Sequence, residues 1–133
     1  PDAKKAIGHA AVLSLLAGKT TDTTQLRTWL EKYPKSVSLR IALAFSILHD
    51  GDANTALTIL KEAPSQIDIL PLGTHMKVAV ASILWANGVF EGASRISDLA
   101  ITEQPFHEEI LRIHGMRVPR SERGVAPGSQ AGK

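Results

Sequence analysis

The chain has 133 residues, 44% of them hydrophobic and 21% charged, with a formal net charge of +2; that is the size of one domain, long enough to bury a core without staples. It contains no Cys, which excludes disulfides and thiolate metal sites, and no apolar run reaches the roughly 20 residues of a membrane helix. The charge is uneven: residues 117–133 hold Arg117, Arg120, Arg123 and Lys133 against Glu122 alone. Residues 1–116 are therefore close to neutral, without the basic face of a nucleic-acid-binding domain.

Taken in chain order, the apolar spacing predicts seven helices, at about 4–17, 22–33, 37–49, 53–63, 74–87, 90–103 and 105–114. The second carries Leu26, Trp29, Leu30 and Tyr33 at i, i+3, i+4, i+7. Ala53, Ala56, Leu57, Leu60 and Ala63 repeat that stripe, as do Val89, Ala93, Ile96 and Ala100. Between them, 37–49 and 74–87 are apolar nearly all round, the composition of helices covered on more than one side. Asp22, Asp52 and Thr74 stand where side-chain oxygens cap free N–H groups. Gly18, Gly51 and Gly88 stand just past helix ends, where a positive φ favours glycine. Pro34, Pro64 and Pro105 mark boundaries. No stretch alternates with the period of a strand, so the expected class is all-α.

The turn glycines recur at 18, 51 and 88, a period near 34 residues, and Ala56 and Ala93 each follow their glycine by five positions. This is the tetratricopeptide pattern, in which the small residue lets two helices of a pair approach closely. The expected architecture is three tetratricopeptide-like antiparallel helix pairs closed by a C-terminal capping helix, an α-solenoid over 1–116, followed by a flexible basic tail over 117–133. The tail is rich in Gly and Pro and too poor in apolar residues to offset its ordering entropy. The first pair is degenerate, with Thr20–Thr24 in its turn. The apolar loop Ile67–Leu72 is expected to fold over a seam between repeats.

Enzyme chemistry finds no footing. The five histidines (His9, His49, His75, His107 and His114) form no metal-protease helix motif, and His107 and His114 around Glu108–Glu109 read as a charged capping helix. There is no G-x-S-x-G elbow. Gly128–Lys133 lacks the spacing, the following Ser/Thr and the helix of a phosphate loop. No catalytic residue, metal or cofactor is expected. In a tetratricopeptide frame the first helix of each pair faces the concave side. That places Val12, Leu15, Ile41, Phe45, Leu48, Val78, Ser82 and Trp85 along an apolar groove, with Gly8 and His75 beside them. An amphipathic helix of a protein partner is the occupant such a groove suits.

At this point the chain resembles a known family, the small tetratricopeptide-like chaperones of the bacterial type III secretion needle subunit. The likeness covers about 9–117 and rests on Trp29–Leu30, the Gly51–Asp52 turn with Ala56–Leu57, the apolar third pair with Trp85, and the closing Gly115–Met116–Arg117. It implies a cytoplasmic export chaperone serving protein transport and virulence. Its groove would hold a helix of the self-assembling needle-type subunit, with a small helical cochaperone at one end. The loop at 64–73 and the tail depart from the family pattern, which leaves open a sister role with a secretion regulator. The alternative is a non-chaperone interaction module, either a regulatory adaptor or a segment of a longer repeat scaffold. Neither reading involves nucleic acid or membrane insertion, and an empty apolar groove would favour weak self-association of the free chain.

Overall fold

The computed structural model describes residues 3–103; the expected helix 105–114 and the basic tail 117–133 lie outside the described residues. Six helices follow one another: α1 (Ala3–Leu16), α2 (Thr23–Lys32), α3 (Val37–His49), α4 (Ala53–Lys61), α5 (Thr74–Ala86) and α6 (Phe90–Glu103). No strand occurs among the described residues, and none of their helices is long and apolar enough to cross a membrane.

The helix ends follow from the residues placed there. Asp22 Oδ1 accepts from the Gln25 amide at 3.0 Å, and Asp52 Oδ1 from the Thr55 amide at 3.0 Å. The Thr55 hydroxyl also donates to Asp52 Oδ2, and these two bonds, the hydroxyl's first, hold the Asp52 carboxyl below its ordinary pKa. Thr74 is not a cap: Gly73 occupies that position without a side-chain bond, and the Thr74 hydroxyl donates instead to Glu103 Oε1 at 3.0 Å. A further cap is Ser36, whose Oγ accepts from the Leu39 amide at 3.3 Å. Gly18, Gly51 and Gly88 end their helices at φ of 83°, 97° and 79°. The residue after each bonds back to the final turn, as in Asp52 N to Ile47 O (3.2 Å) and Val89 N to Leu84 O (2.9 Å), so one Schellman closure is used three times.

The core centres on α3, which packs against α1, α2, α4 and α5. Ala56 and Ala93 are fully buried, and α3 packs on α4 as α5 packs on α6, as the spacing from the turn glycines predicts. The first unit differs. There α1 packs on α3 and makes little or no contact with α2, while α2 rests on α3. Physically, its turn carries Thr20–Thr24 in place of an early small residue, so nothing brings those two helices together. The Thr21 and Thr23 hydroxyls lie 3.0 and 2.6 Å from Ser46 Oγ and tie that turn to α3. Helix α1 also touches α5.

Two polar groups join neighbouring units. Asn87 Nδ2 donates to Ala53 O and Ile83 O, both at 2.8 Å, fastening the end of α5 to the start of α4. Arg40, nearly buried, donates from Nη1 to Ile59 O and from Nη2 to Pro34 O, both at 3.0 Å. Those carbonyls lie in the last turn of α4 and just beyond α2, where the helix dipoles favour a cation. The loop 64–73 behaves as the sequence suggests: Ile67 and Ile69 are half-buried and line a cleft of about 560 Å³ with Leu57 and Leu60 of α4 and Val80 and Leu84 of α5.

Candidate partner-binding surfaces

The first helices of the units lie side by side with their N-terminal ends together. Ser38 Oγ of α3 donates to Lys4 O of α1 at 3.4 Å. Gly8 of α1 lies so close to α3 that a Cβ there would meet the Ser38 carbonyl carbon and oxygen at 2.7 Å. His9 Cε1 comes within 3.5 Å of where a Cβ on Gly73, the cap of α5, would stand. The N-terminal ends of α1, α3 and α5 therefore meet, with α1 touching both of the other two helices.

These three helices are more closed than the sequence suggests. Val12, Leu15, Ile41, Phe45, Val78 and Ser82 are buried, Val12, Ile41, Phe45 and Val78 completely; only Leu48 and Trp85 of the eight expected groove residues keep partial exposure. The Ser82 hydroxyl is used within its own helix, donating to Val78 O at 2.9 Å. Phe45 meets His49 edge-on, with ring centroids 4.7 Å apart. The reason is the all-round apolar composition of α3 and α5: with small Ala42, Ala44, Ala79 and Ala81 also buried, these helices leave little inner surface uncovered.

What remains on the surface is an apolar lip at the C-terminal end of α5. Trp85 meets Phe90 of α6 edge-to-face at 4.8 Å. Phe90 is 47% exposed and the adjoining Val89 42%. The sequence names Trp85 but not Phe90, because the first turn of α6 falls outside the concave frame. The signal available was a large aromatic directly after a turn glycine and valine.

The opposite ends of α1, α3 and α5 border a cleft of about 840 Å³. Lys4, Lys5, Lys32 and Lys35 line it with no carboxylate among the described lining residues. Tyr33 lies there too, stacked on Trp29 at 5.8 Å, with the Lys4 ammonium 4.8 Å and the Lys32 ammonium 5.6 Å from its ring centroid. The sequence does not reveal this concentration, since two of the lysines precede α1's middle and two flank the α2–α3 turn.

One ion pair reaches the core. Lys77 is buried on α5 and donates to Glu103 of α6, whose other oxygen accepts from Thr74. The Lys77 bond first, then the Thr74 hydroxyl, hold the Glu103 carboxyl below its ordinary range. A carboxyl with a depressed folded-state pKa contributes stability that is present above its unfolded pKa and lost as pH falls through the folded one. Glu103→Gln is therefore expected to lower the chemical-denaturation midpoint at neutral pH, with the gap to wild type closing below the ordinary glutamate range. A gap of equal size at every pH would show that the charge at Glu103 is not responsible.

No group of three or more potential metal ligands occurs among the described residues. Comparison of the chain with protein-family models, curated proteins and solved structures finds no match.

Proposed function

We propose that the protein is a tetratricopeptide-like export chaperone that holds an amphipathic helix of a self-assembling secretion subunit of the needle type. The observation that carries the reading is the exposed apolar lip where Trp85 meets Phe90, at the C-terminal end of α5, the last of the three helices α1, α3 and α5 whose N-terminal ends meet. Each of these helices ends in the same glycine closure, and the second and third are backed by helices packed at a fully buried alanine. The Trp85–Phe90 pair, with Leu48 and Val89, supplies rigid aromatic and aliphatic contact area of the kind that dominates interface energetics. A needle-type subunit polymerises through its own exposed helix, so covering that helix keeps it unassembled until export. Apolar contact also suits release, because separation leaves no buried charge unpaired.

The burial of Val12, Leu15, Ile41, Phe45 and Val78 favours a second reading. In it these residues are simply the domain core, and the chain is an adaptor or scaffold segment that binds its partner through the lip alone. The two separate on a pair of variants. Under the chaperone reading, Trp85→Ala with Phe90→Ala weakens binding of the subunit by at least tenfold, or about 1.4 kcal/mol, and the subunit's helix protects amides along α1 and α3 from exchange. Protection confined to the ends of α5 and α6 would support the adaptor reading.

A further inference from the structure

We infer that the lysine-lined cleft at the N-terminal ends of α1, α3 and α5 is a second docking surface, one that takes an acidic amphipathic segment of a protein partner. Its chemistry is two-sided. Lys32 and Lys35, both exposed, supply positive charge for a ligand on the side of the cleft facing Lys4 and Lys5, and Val37 and Leu72 supply apolar lining. Lys32 and Lys35 are exposed and Val37 is 36% exposed, so both the charged and the apolar lining are within reach of a ligand. Helices α3 and α5 also begin at this cleft, and their dipoles add partial positive charge in the same sense as the lysines.

Size and shape argue for a peptide. A volume of about 840 Å³ exceeds what a single phosphate or carboxylate group fills, and falls in the range of sites that bury most of a multi-residue or drug-sized ligand. Nucleic acid fits poorly. The aromatic ring in the cleft, Tyr33, is already engaged by Trp29 and by the Lys4 and Lys32 ammonium groups, so it offers no free platform for a base. Arginine, which forks onto phosphate and stacks on bases, is absent from the lining among the described residues. An acidic segment with apolar residues at helical or alternate spacing meets every part of the surface. Carboxylates pair with ammonium groups at the rim, where such pairs set partner choice and association rate more than affinity, while apolar side chains cover Val37 and Leu72. The inference does not rest on the helix-holding reading, because this cleft lies at the N-terminal end of α5 and Trp85 and Phe90 lie at its C-terminal end.

The test uses a fluorescent synthetic peptide of alternating Leu and Glu content, a scrambled peptide of the same composition without apolar periodicity, and a single-stranded oligonucleotide. Each is titrated into the full chain and into the Lys32→Glu/Lys35→Glu variant. Both substituted lysines are exposed, so the unfolding midpoint of the variant serves as the folding control. The expected result is binding of the patterned peptide that weakens about tenfold or more in the variant and falls as salt rises from about 0.05 to about 0.3 M. The scrambled peptide and the oligonucleotide should bind at least about tenfold more weakly than the patterned one. Equal binding of the scrambled peptide would overturn the inference, reducing the cleft to diffuse electrostatic attraction. Tighter binding of the oligonucleotide, or peptide affinity unchanged by the double substitution, would overturn it as well. Binding of a needle-type subunit measured on the same variant stays at wild-type level if the two surfaces are distinct.

Discussion

Phe45→Ala is expected to destabilise the free protein by about 3–5 kcal/mol, the cost of a large aromatic removed from a closed core. The ring has no exposed surface, and its helix is the one that four others pack against, so the cavity has few ways to collapse. Since domains of this size are stable by only about 5–15 kcal/mol, a thermal midpoint lowered by more than about 10 °C should follow. Phe45→Leu, which keeps most of the volume, should cost roughly 1 kcal/mol. Equilibrium denaturation of the two variants, with partner binding measured on whatever remains folded, checks the assignment. Binding lost with an unchanged midpoint would show that Phe45 anchors a partner and that the helices around it part to admit it.

Gly8→Ala should also destabilise, by about 1–3 kcal/mol, against the expectation from helix propensity alone. Alanine in a helix interior is ordinarily about 1 kcal/mol better than glycine. Here the new methyl would stand 2.7 Å from the carbonyl carbon and oxygen of Ser38 and 2.9 Å from its Cβ. Two of those atoms are backbone of α3, not the far end of a flexible chain, so α1 must move away from α3 for the methyl to fit. Such a shift would also displace Lys4 and Lys5 from the basic cleft. Gly8→Val should cost more than Gly8→Ala, and the ordering of the two is read from the same denaturation curves. A stabilised Gly8→Ala would mean that α1 does not approach α3 as closely as described.

How far the sequence carries can be seen at particular residues. The six described helices were legible because their stripes, caps and turn glycines agree: Asp22, Asp52, Gly51 and Gly88 each do locally what their chemistry predicts. The packing of α3 on α4 and of α5 on α6 was legible from Ala56 and Ala93. The partner of α1 was not, because a repeat period predicts a pairing only where its small residue is present, and the first unit lacks one. Thr74 illustrates the same limit at short range: a hydroxyl at a helix start can cap the backbone or bond a distant side chain, and only Glu103, arriving from α6, decides between them. Leu48 and Trp85 keep partial exposure, while Phe45 and Val78 are fully buried. A concave frame fixes which way a residue faces, not how nearly its neighbours close over it. The basic cleft was illegible because net charge sums over the chain, whereas the cleft is made by folding Lys4 and Lys5 against Lys32 and Lys35.

The central functional claim is tested most directly by polymerisation of a needle-type subunit in the presence of this protein. The subunit, taken from the same genome, is followed by light scattering with and without the chain, and any complex is sized by chromatography. The account predicts a discrete complex of the two proteins and suppression of polymer growth, with growth restored by the Trp85→Ala/Phe90→Ala variant although that variant stays folded. Polymer growth at the same rate and extent with and without the wild-type chain would contradict it.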